Sequence, residues 1–555
     1  MNMPSMHPRG LLALVLATAL PAAEAAIFRV GPGCTYTSVQ AAINAVPASG
    51  THDVHIANSV EFTAQALVID GKQVALRGGF DDCSNTFPGT TKTTLSGQGG
   101  GNDSVLTIRG KGVQVALVDL NIIRGDEVHD GYGGGIDFRG AGILQLTRTA
   151  VSQNYAGYGG GISMIGEGGA AELQMQADAV ILLNRAQFSG GGIRLEGTAH
   201  LRMAGRGTTI ANNEALGYDP FAAVDRYGYG GGIEVIAPAS ASIGSPGVGN
   251  GAIVANIARY GGGIAMVGVD GEDVDGKVTL YSTDPSRPVR VHGNRARNTG
   301  GGIYLGTGSG IVATSRGLLC AYDARIDANA AVDGSALYAD ADFGVVSGFG
   351  TYAYFNVDSG YPAYCSPPTG SVRCAAGSEC NTMHGNRNED GNGNATQGAT
   401  ILVQDKGGFD AARLAIRDGS GGYVLRAFDA RIALDAASIA ANTTSGALIR
   451  IEDEGALSLV DSTLAGNAIA ASAVLSVNGD FDLLRTILWQ PGKTSLVQSA
   501  GTVTVAQVIA SEVASLGPGA LLRSPRLVDP ERGDVHLRAA SPAIDFAPAL
   551  VGDDV

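Results

Sequence analysis

From about Asp119 to Leu337, short apolar segments recur in a fixed order between polar corners. One kind is a tetrad, aliphatic-x-x-Asn. It ends at Asn154, Asn184, Asn213, Asn256, Asn294 and Asn329, with weaker copies at Asn442 and Asn467. The other is a glycine run followed by Ile-x-apolar, with Ile136, Ile162, Ile193, Ile233, Ile264 and Ile303 as the isoleucines. Period-two alternation places the Ile and the next apolar residue on one face, which predicts short half-buried strands. Repetition over tens of residues predicts stacked coils, each packing only on its neighbours. The expected fold is all-β, a parallel β-helix.

The pattern assigns roles within a coil. Stacking aligns the isoleucines in a core column and leaves Asp137, Ser163, Arg194, Glu234, Ala265 and Tyr304 as an outward column. Glycine before each Ile permits positive φ and close approach of adjacent coils. The asparagines suit a buried amide ladder, and Asn at a bend tolerates left-handed geometry. Tyr132, Tyr158, Tyr229 and Tyr260 each lie four residues before an Ile. Such a column either faces sugar rings from outside or fills a corner.

Ahead of the repeats, Ser38 precedes Val39, Ala42, Ile43 and Val46 at helical spacing, and Pro47 follows. This predicts one N-terminal capping helix over the open end of the first coil. The organisation expected is residues 1–25 as a signal peptide, 26–100 as cap and first coils, and 101–340 as the repeats. A Cys-rich insertion at 341–399 and C-terminal coils and tail at 400–555 complete it.

Composition narrows the function. The 555 residues include 83 Gly without a period of three, and net charge is −15. Acidity argues against nucleic acid as a partner. Arg9, the apolar run Leu11–Leu20 and Ala23-Glu24-Ala25 read as an export signal. No later stretch has the roughly 20 apolar residues of a transmembrane helix. Six cysteines in an oxidising route predict disulfides, Cys34 with Cys83. Cys320, Cys365, Cys374 and Cys380 allow three pairings, and zinc is the alternative for that cluster.

The alternation of Gly-Gly-x-Ile with apolar-x-x-Asn resembles the repeats of the polymorphic outer-membrane protein family, over residues 119–340 and weakly 436–475. The resemblance implies a right-handed parallel β-helix passenger at the surface of a Gram-negative-type cell, secreted or held at the outer membrane, and a part in adhesion. Two features depart from it. The tetrads begin with Val, Ile or Leu where that family has Phe, and the chain ends Asp553-Asp554-Val555 rather than in a membrane barrel. Tyr36–Val46 is similar to the opening of pectin-degrading, pectate-lyase-like β-helix proteins, and Ser541–Asp545 to the closing coil of many secreted bacterial β-helix proteins.

Three loops carry candidate chemistry. Asp126, Glu127, His129 and Asp130 precede the first glycine run, where carboxylates beside a His suit acid–base work or calcium. Asp270, Asp273 and Asp275 form a second acidic loop, and Asn388, Asp390 and Asn392 a third with alternating oxygen ligands. The competing reading of all three is a solvated polar turn. No cofactor is evident beyond calcium, and motifs of known β-helix enzymes are missing. The expected function is a non-enzymatic exported protein binding glycans or a cell-surface partner. The alternative is a polysaccharide lyase or glycoside hydrolase, with calcium as its candidate cofactor. Oligomeric state is not encoded in these patterns.

Overall fold

The computed structural model describes residues 26–219, 224–225, 228–244, 251–268, 276–282, 287–306, 317–340, 352–355, 365, 381–544 and 546. Its strands stack as a right-handed parallel β-helix. Among the described residues they form sheets of 24, 15 and 11 strands, here called the first, second and third sheets. Each coil runs along the first sheet, turns into a short rung of the second, and passes the Asn corner into the third. It then crosses the glycine corner back to the first.

Period-two alternation generates the core as expected. Ile136, Ile162, Ile193, Ile233, Ile264 and Ile303 pair in register from rung to rung, and none is exposed. Leu106 continues the column below and Leu337, Ile401, Leu425 and Ile449 above. One apolar column thus spans the stack, and burial of such residues contributes about 1.5–3 kcal/mol each.

The second corner is held by asparagine. Nδ2 of Asn184 donates to Val151 O at 2.9 Å and to Asn213 Oδ1 at 3.0 Å. Its Oδ1 accepts from Asn154 N at 3.1 Å and Nδ2 at 2.9 Å. The same exchange links Asn213, Asn256, Asn294, Asn329 and Asn386, and again Asn442 and Asn467. The left-handed residue, however, is not the asparagine. It is the one before: Gln153 (φ 58°), Leu183 (57°), Asn212 (55°) and Ala255 (54°). The side-chain ladder fixes the corner and forces the preceding residue, of any type, into left-handed backbone.

The glycine corner behaves as expected. Gly159 has φ 62°, and a Cβ on Gly161 would lie 2.6 Å from Gly192 O of the next coil. No other residue fits that approach.

Helix α1 (Val39–Ala45) caps the first coil, with Ser38 as N-cap and Val39, Ala42, Ile43 and Val46 buried. Lys72 Nζ donates to Ile43 O, Asn44 O and Val46 O, satisfying carbonyls at the helix end. Cys34 is bonded to Cys83, as expected, and Cys320 to Cys365. Cys374 and Cys380 lie outside the described residues, as do residues 1–25 with the candidate signal. Tyr352–Phe355 and Asn381–His384 are rungs of the first and second sheets, so coils run through both ends of the stretch assigned to the Cys-rich insertion. At the far end Leu527–Asp529 and Asp534–Leu537 form an antiparallel hairpin.

Candidate functional site

Register places Asp137, Ser163, Arg194, Glu234, Ala265, Tyr304 and Tyr338 side by side on the outer face of the first sheet. The column exists, but its expected exposure does not. Asp137 is 8%, Ser163 0%, Glu234 2% and Tyr304 6% exposed. The cause is the glycine corner, which sets the end of the third sheet against the outer face of the first. Aromatic rings at the end of the third sheet lie in the angle between them. The tyrosines therefore fill an external corner.

The aromatic row has two well-defined parts. Tyr132 stacks on Tyr158 at 5.2 Å between centroids, and Tyr158 meets Phe188 at 5.0 Å. Farther along, Tyr229 stacks on Tyr260 at 5.2 Å, and Tyr304 on Tyr338 at 5.2 Å and 5°. Tyr132, Tyr158 and Tyr260 keep partly exposed edges, whereas Tyr229 and Tyr338 are buried.

Charges sit against the first part. Arg139 lies 4.7 Å from the Tyr132 ring centre and Arg194 4.7 Å from that of Tyr158. Arg139 Nε donates to Asp137 Oδ2 at 3.0 Å. Arg194 donates to Glu234 at 2.9 Å and to Glu196 at 3.0 Å. Two buried atoms in this column, Asp137 Oδ1 and Ser163 Oγ, have no hydrogen-bond partner.

Burial pushes the Asp137 carboxyl up to about 6, against the pull of Arg139. Burial also raises Glu127, with Asp103 and Asp137 adding like charge, and raises Glu234 against Arg194. The corner therefore offers stacked ring edges, guanidinium donors and a carboxyl that protonates near neutral pH, with the Ser163 hydroxyl buried behind them. These groups suit stacking and hydrogen bonding to a polyhydroxylated ligand, and one of them suits proton transfer.

The residues singled out from sequence fall in different places. Asp126 and Glu127 pair with Tyr155 and Ala156, and Tyr132 with Tyr158, so three extra residues bulge between. His129 and Asp130 lie in that bulge, and their side chains lie outside the described residues, as do Asp270, Asp273 and Asp275. Asp126 lines a shallow hollow with Arg124, Gly125, Gln153 and Tyr155. Asn388 is buried, its Nδ2 donating to Ala399 O at 2.7 Å and its Oδ1 accepting from Ser335. Asp390 instead accepts from Asn392 N at 2.8 Å and Asn394 N at 2.9 Å within its own turn. The Asn394 side chain, whose Nδ2 donates to Asp390 Oδ2 at 2.9 Å, does most to hold its pKa down, and the two backbone bonds add to it. Among the described residues no group of three or more His, Cys, Asp or Glu side chains converges as a metal site.

Arg139, Phe188 and Glu196, and the pairing of Arg194 with Glu234, went unnoticed in the sequence. The signal was the spacing Asp137-x-Arg139 and Arg194-x-Glu196, since i and i+2 of a strand share a face. No protein-family model matches the chain, and no curated protein matches its sequence.

Proposed function

We infer that this is an exported β-helix protein whose outer corner binds a glycan along its lateral face. The observation that carries the reading is the stacked row of Tyr132 and Tyr158 beside Asp137, Arg139 and Arg194. Ring edges with flanking hydrogen-bonding groups match the alternating apolar and hydroxyl surfaces of a sugar. The resemblance of the repeats to polymorphic outer-membrane proteins, together with Leu11–Leu20, supports export and adhesion at the surface of a Gram-negative-type cell. No helix among the described residues is long and apolar enough to cross a membrane.

The test is a panel of polysaccharides offered to the intact protein and to Tyr132→Ala, with fractionation to locate the chain. Retention of a glycan by the intact chain and its loss in the variant is the expected result. Binding unchanged in Tyr132→Ala rejects the corner as the site.

One observation favours a second reading, a polysaccharide lyase or hydrolase. Asp137 protonates near pH 6 and has an oxygen free of partners, which suits a general acid. Unsaturated products or new reducing ends, assayed with and without calcium and abolished in Asp137→Ala, would replace the binding reading with this one.

A further inference from the structure

A second cluster lies on the first three rungs, apart from the aromatic corner. Arg29 pairs in register with His55, and His55 with Arg77, so three nitrogen-bearing side chains stack in one outward column. Strand spacing sets their backbones about 4.8 Å apart. Phe80 stacks on the His55 ring at 4.2 Å and 11°, fixing its plane, and the His55 side chain is 10% exposed.

The hydrogen bonding of this column is incomplete. Arg29 Nε, His55 Nδ1 and Arg77 Nε are buried and have no hydrogen-bond partner. Asp53 is the neighbouring carboxylate, 3.2 Å from Arg77 Nε and 3.8 Å from His55 Nε2. Its approach to Arg77 is an ion pair without hydrogen-bond geometry. With Asp53 paired to Arg77, the two guanidinium groups and a neutral imidazole leave a local charge of about +1. Burial pushes the His55 pKa down, Asp53 opposing and Arg77 and Arg29 assisting, which keeps the ring neutral at pH 7. A neutral imidazole still donates through whichever nitrogen carries its proton. The whole chain has net charge −15, so a concentration of unsatisfied cationic donors departs from its average surface.

We propose that Arg29, His55 and Arg77 form an oxyanion-binding site on the outer face of the first three rungs, taking a carboxylate, sulfate or phosphate group. Two planar guanidinium groups supply charge-assisted donors, and the imidazole between them supplies a third contact. Asp53 orients Arg77 and lowers the affinity, which keeps the site selective for ligands bearing a full negative charge. The inference does not depend on glycan binding at the aromatic corner.

The test is calorimetric titration of the full chain with inorganic sulfate, with sulfated dextran and with polygalacturonate at low ionic strength. Arg29→Gln and Arg77→Gln are each expected to weaken binding roughly tenfold, the loss of one charge-assisted contact. Asp53→Asn is expected to tighten it severalfold, an increase that damage to the fold cannot produce. Binding of sulfate alone at these residues identifies a free anion as ligand, and binding of a polymer without sulfate identifies an acidic polymer; either supports the site. Absence of binding by all three probes overturns the proposal. So does affinity unchanged in the Arg variants, or weakened in Asp53→Asn.

Discussion

Arg194 donates to Glu234 at 2.9 Å across one rung of the first sheet, on the side facing away from the coil interior, yet the Glu234 side chain is only 3% exposed. Removing one partner leaves the other charge buried and unpaired, which costs about 3–5 kcal/mol. Arg194→Met should therefore lower stability by about that amount. The double variant with Glu234→Leu should recover most of the loss, because both desolvation penalties disappear together. Denaturant midpoints for the four proteins of the cycle check this, and additive effects would refute it.

The asparagine ladder makes a second prediction. Asn184 is 1% exposed and spans three coils through four hydrogen bonds. Asn184→Ala orphans Asn154 N and takes the side-chain donor from the Val151 carbonyl, a loss of about 3 kcal/mol. It also releases Leu183, held at φ 57°. Amide exchange should show the loss of protection concentrated in the coils around Asn154 and Asn213, because solenoid coils couple mainly to neighbours. Uniform loss along the whole stack would contradict that.

These two cases show what could be read in advance. The Ile column and the Asn ladder were legible because period two and a repeated amide are local signals. The left-handed position was not: Gln153, Leu183, Asn212 and Ala255 share no chemistry, and the ladder, not the residue, imposes the turn. The covering of Asp137 and Glu234 was also hidden. Polar residues at outward positions read as solvated, and only the angle at the glycine corner, which sets the end of the third sheet against their face, decides otherwise. Asn388 read as an oxygen ligand for the same reason, until Ser335 and Ala399 claimed its amide.

Asp137 gives a pH prediction. Its folded pKa is about 6, against 3.8 for the free side chain. Between these values the folded state binds more protons than the unfolded one, so stability falls as pH rises through the window. The penalty is absent below about pH 4 and complete above about pH 6, at about 3 kcal/mol. Asp137→Asn should flatten this part of the stability profile and raise stability at pH 7. A profile between pH 4 and 7 identical in the two proteins would remove the basis for the shifted carboxyl, and with it the case for Asp137 as an acid.

Tyr132 and Tyr158 separate packing from recognition. Tyr158 lies between Tyr132 and Phe188 and beneath Arg194, so Tyr158→Ala should cost about 3 kcal/mol of stability as well as any binding. Tyr132 stacks on Tyr158 with Arg139 beside it and keeps a partly exposed edge. Its removal should cost less stability and weaken glycan retention roughly tenfold, the worth of one aromatic contact. Tyr132→Phe should retain binding if the ring edge is what the ligand meets, and lose it if the hydroxyl is. Affinity electrophoresis of the intact chain and the three variants, read beside their thermal midpoints, distinguishes these outcomes. Loss of binding in strict proportion to loss of stability would mean that the row holds the corner together and recognises nothing.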